Sequence, residues 1–316
     1  MLGSKGASHW SRTTVPELKL LVTGGSGFVG RAIVERLVNR GHTVRILARG
    51  TRPTLGGTVE TLQGSVLHPE TLPPACQGVD AVIHLVGIIS EVGEQTFERV
   101  HTEGTRNLLQ AARSVGLRRF IHMSALGTRP NAVARYHRSK WEAEQAVRAS
   151  GLDWTIFRPS LIYGAGDGFV GLFARMAQWS PVLPVIGPGQ SRVQPVAVED
   201  VAHCFASAPM TPGSVSQTFD LCGPRAYPFD QVIRMILKAT GHHRGVVHLP
   251  LALARLQAGL LETVFPRMLD QAPPLNRDQI QMLQEDNVGD PGPASEVFGF
   301  VPCSFDEGLG RLFGKG

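Results

Sequence analysis

Lysine is scarce in this sequence. Only five of its 31 basic residues are lysines, and nowhere do five or six like charges stand in a row. A basic tract of the kind that grips nucleic acid is therefore excluded. The formal net charge of +5 is scattered among 26 acidic residues. Cysteine is also sparse: Cys76, Cys204, Cys222 and Cys303 stand far apart without a C-x-x-C pair, which excludes a zinc framework or a disulfide scaffold and points to reduced thiols in a cytoplasm-like compartment. No apolar run reaches the roughly 18 to 20 residues of a membrane-spanning helix. The nearest, Leu249 to Leu269, is broken by Arg255, Gln257, Glu262, Pro266 and Arg267. Residues 1–16 lack the apolar stretch of a secretory signal and read as a flexible tail, with a cleaved organelle presequence as the alternative.

What is present suits a folded enzyme-sized chain. The 316 residues are 42% apolar and 18% charged, the balance of a protein that builds a core. From Glu17 onward, short β-branched runs alternate with stretches of helical period, which predicts βαβ units around a parallel sheet. Six strands are expected, at Leu18–Val22, Thr43–Ala48, Thr58–Leu62, Ala81–Val86, Arg119–Met123 and Trp154–Phe157. A helix over Phe28–Arg40 has Val29, Ile33, Leu37 and Val38 on one face. The fold class is α/β, a doubly wound parallel sheet with a smaller C-terminal substrate lobe. Prolines and glycines after Pro159 mark where the pattern loosens. The expected division is 17–163 for the sheet domain, with segments returning near 193–222, and 164–192 with 223–316 for the smaller lobe.

Three features carry chemistry. First, the octet Thr23-Gly24-Gly25-Ser26-Gly27-Phe28-Val29-Gly30 joins the first strand to the first helix. In that context glycines let backbone N–H groups approach a pyrophosphate. Second, the next strand ends on Arg49, with Arg52 behind it and no acid until Glu60. An acid would hold a ribose 2′-OH, whereas arginine meets a 2′-phosphate, so NADP(H) is favoured over NAD(H). Third, Tyr136 and Lys140 stand four apart in a helical stretch after the strand ending at Ser124, so phenol and ammonium share a face. A nearby ammonium is expected to lower the tyrosine pKa from about 10 and ready it for proton exchange.

These residues together resemble the short-chain dehydrogenase/reductase superfamily, in its extended or atypical branch. The glycine octet, Leu85-Val86-Gly87, Gly104-Thr105-Arg106-Asn107, Ser124, Tyr136 with Lys140, Arg158-Pro159-Ser160 and Gln194 to Val201 match in order. The stretch Pro274-Leu275-Asn276-Arg277-Asp278-Gln279-Ile280, followed by Asp286-Asn287-Val288, is similar to the group that includes the nucleotide-binding accessory subunit of respiratory complex I. The resemblance implies a Rossmann-type fold. It also implies Tyr136 as general acid or base, Lys140 as ribose anchor and Ser124 as carbonyl-polarising donor. Gly24, Ser26, Gly27, Phe28, Val29 and Gly30 would hold the pyrophosphate. Val66, Leu85, Val86 and Gly87 would lie along the adenosine side, and Pro159 with Ser160 beside the nicotinamide. Two positions depart from the pattern: Ser65 replaces an acid, and His101 replaces an asparagine.

No metal is expected, since His242, His243 and His248 lack a carboxylate at ligand spacing. Leu253, Leu256, Leu260, Val264 and Met268 form an apolar helical stripe, expected to pack into the core, with an interfacial surface as the alternative. Two functions stay open. One is an oxidoreductase acting on a carbonyl, alcohol or quinone-like small molecule; the other is a nucleotide-binding structural or assembly subunit at a membrane respiratory complex. The location is cytoplasmic, in the second case peripheral to a membrane.

Overall fold

The computed structural model describes residues 16–50, 58–269 and 271–314. Arg52, the N-terminal tail and the side chain of Met268 lie outside the described residues. The central sheet begins with β1 (Lys19–Thr23), β2 (Thr43–Ala48), β3 (Val59–Gln63), β4 (Ala81–His84), β5 (Arg119–Met123) and β6 (Asp153–Pro159). Gln217–Leu221 adds a seventh strand, giving the order β3-β2-β1-β4-β5-β6 and then Gln217–Leu221, with every pairing parallel. The segment expected to return to the sheet domain near 193–222 supplies this strand. The seventh strand lies far along the chain, and β6 alone defines its register, from Gln217 opposite Thr155 to Leu221 opposite Pro159.

Strands of a sheet covered on both faces are apolar on both faces. In β1, Leu20 and Val22 pack into a core under α1 (Phe28–Asn39) and the helix Val198–Ser207. Leu21 points the other way, to a core under α2 (Leu72–Cys76) and α3 (Gly104–Ser114). Strand order reverses between β1 and β4, so their carboxyl ends open a crevice where a doubly wound sheet binds ligand. The helix α4 (Arg135–Arg148) is fastened to β6 by Glu144, whose side chain is fully buried. Its carboxylate accepts hydrogen bonds from Arg158 Nε at 2.8 Å and Nη2 at 2.7 Å, and from Arg148 Nη2 at 3.2 Å.

A second core joins the helix Val170–Trp179, the strands Val182–Ile186 and Gly245–Leu249, and the helices Phe229–Ala239 and Phe305–Phe313. Beside it runs the helix Leu251–Leu269. Here the structure corrects the expected core stripe: Leu253, Leu256, Leu260 and Val264 are 54%, 64%, 61% and 43% exposed. Ala254 and Ala258 face inward instead, against Ile280 and Ile186. Small residues let a helix approach its neighbour closely, which leaves the leucines on the outer face. Side-chain size had pointed to the wrong side. Among the described residues no helix is long and apolar enough to cross a membrane.

Candidate functional site

The turn after β1 is built by its glycines. Gly24 takes φ +79° and sits so close to the backbone of Leu85 that a Cβ would stand 3.2 Å from the Leu85 carbonyl carbon. A Cβ on Gly30 would overlap the Gly24 carbonyl oxygen. The loop closes through the Gly27 N–H to Gly24 O (3.0 Å), and α1 starts immediately after it. A cavity of about 290 Å³ lies over this turn, lined by Gly24, Ser26, Gly27, Arg49, Ser65 and Val66, and across the crevice by Leu85, Val86 and Gly87. Of the expected nucleotide contacts, Phe28, Val29 and Gly30 form the first turn of α1, with Gly30 buried against the loop. A cradle that side chains would fill, ending on a helix N-terminus, fits the pyrophosphate of a dinucleotide.

Arg49 reaches across the cavity, its Nη1 donating to Gln95 Oε1 at 2.6 Å. The loop at Val66 is held by Asn107, whose Nδ2 donates to Val66 O at 3.0 Å. Gln95 gave no signal in the sequence, because nothing local marks a residue 46 positions away as a partner for Arg49.

Tyr136 and Lys140 lie in the first half of α4, and their side chains converge on a buried histidine. His101 stands in a π-helical stretch, Glu98–Glu103, a form that recurs at functional sites. Its ring is edge-on to Tyr136 with centroids 5.3 Å apart. Its Nε2 accepts the Ile88 N–H at 3.0 Å, which makes Nδ1 the protonated nitrogen, donating to Ser139 Oγ at 2.8 Å. Burial, then the Lys140 charge, push the imidazole down to about 2, so it is neutral at every physiological pH. Lys140, 2% exposed, donates to Met123 O at 3.1 Å, and Nζ lies 3.0 Å from where a Gly87 Cβ would be. A side chain at 87 would crowd that ammonium.

The expected lowering of the tyrosine pKa is not what the environment gives: burial pushes Tyr136 up to about 12. Desolvation brings Lys140 down to about 8, partly opposed by Glu144. Ser124 is buried at the end of β5, its Oγ 3.4 Å from Thr128 Oγ1. The Ser160 hydroxyl donates to Asn287, whose Nδ2 in turn donates to Leu126 O at 3.0 Å. Pro159 ends β6 opposite Leu221. Asn287 thus ties the C-terminal segment to the loop after Ser124. Of the candidate histidines, His248 pairs with Asp230 at 3.2 Å and His242 bonds the Thr240 carbonyl. Among the described residues there is no group of three or more side chains able to hold a metal.

Comparison with known proteins agrees with this geometry. Residues 24–172 match a family model described as NAD(P)H-binding, and residues 127–244 one described as the RmlD substrate binding domain. The chain is 34% identical to ceramide reductase of Caulobacter vibrioides over 235 residues, 72% of this chain and 73% of that one. It is 31% identical to NADH dehydrogenase (ubiquinone) 1 alpha subcomplex subunit 9, mitochondrial, of Rattus norvegicus, over 76% of this chain and 65% of that one. In fold it is similar to UDP-glucose 4-epimerase of Thermotoga maritima, with a TM-score of 0.72 at 22% identity, covering 94% of this chain and 97% of the other.

Proposed function

Because the chain belongs to the NAD(P)-binding extended short-chain dehydrogenase/reductase family, we propose that it is an NADP(H)-dependent oxidoreductase acting on a carbonyl, alcohol or quinone-like substrate. The observation that carries this reading is the convergence of Tyr136 and Lys140 on His101 and Gly87, at the edge of the glycine-lined cavity. A bound nicotinamide would supply the hydride. Tyr136 keeps its proton up to about pH 12, so at neutral pH the phenol is a donor, the form that reduction of a carbonyl needs. Lys140, charged below about pH 8, stabilises the phenolate left behind and offers N–H groups to a ribose. Ser124, at the end of β5, holds the substrate oxygen. The neutral His101 anchors Ile88 and packs edge-on against the phenol ring, keeping it oriented. The test is oxidation of NADPH against a panel of carbonyls and quinones, with none consumed as the outcome that rejects the reading.

Arg49 carries the cofactor preference. Its guanidinium donates to Gln95, and a 2′-phosphate would compete for that donor. Fluorescence titration should give NADPH bound several-fold tighter than NADH, with Arg49→Ala narrowing the gap by about 1.5–3 kcal/mol, the worth of a hydrogen bond to a charged group. Equal affinities in the unmutated protein would refute the assignment.

A second reading, a nucleotide-holding subunit docked on a membrane complex, is favoured by the exposed leucine face of the helix Leu251–Leu269 and by likeness to the Rattus norvegicus subunit. On this reading Leu260→Asp should change stability by no more than about 0.5 kcal/mol, as exposed positions do. The variant should cosediment less with liposomes. Retained cosedimentation would reject the docking face. A large loss of stability would instead show Leu260 to be covered.

A further inference from the structure

A second cavity, of about 490 Å³, opens between the loop after β4 and the segment joining the helix Leu251–Leu269 to the helix Arg277–Met282. Its walls are mainly Ile88, Ile89 and Val92 on one side, and Ala272, Pro273 and Pro274 on the other. Asn276, 5% exposed, holds the two walls together. Its Nδ2 donates to Ile89 O at 2.8 Å and to Ser90 Oγ at 2.7 Å, while it forms a reciprocal cap with Gln279.

The polar side chains in the wall are largely occupied. Ser90 Oγ accepts from Asn276, Gln279 Oε1 accepts the Asn276 N–H, and Gln95 Oε1 accepts from Arg49. No charged side chain is among the lining residues described. A phosphate or sugar diphosphate seated here would lose its hydration with no charged lining side chain to replace it, since Arg49 and Arg135 nearby are engaged by Gln95 and Glu91. A hydrocarbon chain gains by leaving water, and the volume is that of a small-molecule site.

The cavity also adjoins the reaction centre. Ile88 lines both it and the nucleotide cavity, and the Ile88 N–H is bound to His101 against Tyr136. Arg135, next to Tyr136, spans the same two walls: its N–H donates to Asp278 at 2.7 Å and its guanidinium to Glu91 at 2.7 Å. We propose that this cavity seats an uncharged hydrocarbon chain of the substrate, so that the protein acts on carbonyl compounds with an extended apolar chain. The proposal rests on the oxidoreductase reading and names its substrate class.

The experiment measures NADPH oxidation with methyl ketones from butanone through heptanone to dodecanone, and calorimetric binding of dodecanone to the NADP+-bound protein. The expected kcat/KM rises about fourfold for each methylene buried. Ile89→Asp, a change at a half-exposed wall position, should weaken dodecanone binding roughly tenfold or more while Ile89→Leu preserves it. Unchanged NADPH affinity shows that the variant is folded. Turnover without a chain-length gradient overturns the cavity assignment and leaves the oxidoreductase reading standing. Dodecanone binding that Ile89→Asp abolishes, without turnover of any ketone, overturns the oxidoreductase reading and supports the chain site. Neither turnover nor binding overturns both.

Discussion

Tyr136→Phe should lower kcat for NADPH oxidation by about 10²–10⁴, the span expected when a positioned proton donor is lost, and leave NADPH affinity nearly unchanged. The phenol ring is held by packing against His101 and Phe97, contacts that phenylalanine keeps, so the loss reports the hydroxyl alone. An unaltered rate would remove Tyr136 from the chemistry. Lys140→Met separates two roles. It should weaken NADPH binding and lower the rate, yet raise the thermal midpoint at pH 7, because the folded state brings the Lys140 pKa from 10.5 to about 8. The unfolded chain then binds more protons between those values, so wild-type stability rises with pH across that window and carries the full cost of the buried ammonium below it. The advantage of Lys140→Met should shrink as pH climbs from about 8 past 10.5. A variant destabilised at pH 7 would contradict this account of Lys140.

Glu144→Ala should cost about 3–5 kcal/mol in chemical denaturation, the range for breaking a buried ion pair from one side. Arg158 makes two hydrogen bonds to this carboxylate, and its side chain is only 22% exposed, so the guanidinium would be left without its partner. The pair joins α4, which carries Tyr136 and Lys140, to β6, so NADPH binding should fall in step with the folded fraction. Replacing both partners, as in Glu144→Leu with Arg158→Met, should recover much of the loss, since an apolar pair leaves no charge unpaired. A Glu144→Ala cost under about 1 kcal/mol would mean that water reaches Arg158 freely.

Much of the fold was legible because its signals are local. Alternating strands and helices gave the parallel sheet, and the glycine octet marked the crevice between β1 and β4. The four-residue spacing of Tyr136 and Lys140 put both on one helix face. The Asn276–Gln279 cap was not read in advance, and the grip of Asn276 on Ile89 and Ser90 spans 187 and 186 positions of sequence.

The sequence by itself determined the glycine turn at the crevice and the helix face that Tyr136 and Lys140 share, since glycine conformation and helical periodicity act over a few neighbouring residues. Tertiary structure alone decided three things. It turned the leucines of the helix Leu251–Leu269 outward by packing that helix on Ala254 and Ala258. It raised the Tyr136 pKa, because burial desolvates the phenol. It also drew Ser160 toward Asn287, and Arg49 toward Gln95, through contacts 127 and 46 residues apart. Desolvation and long-range hydrogen bonding depend on what the folded chain brings alongside each group, and no pattern within a short stretch of sequence records that.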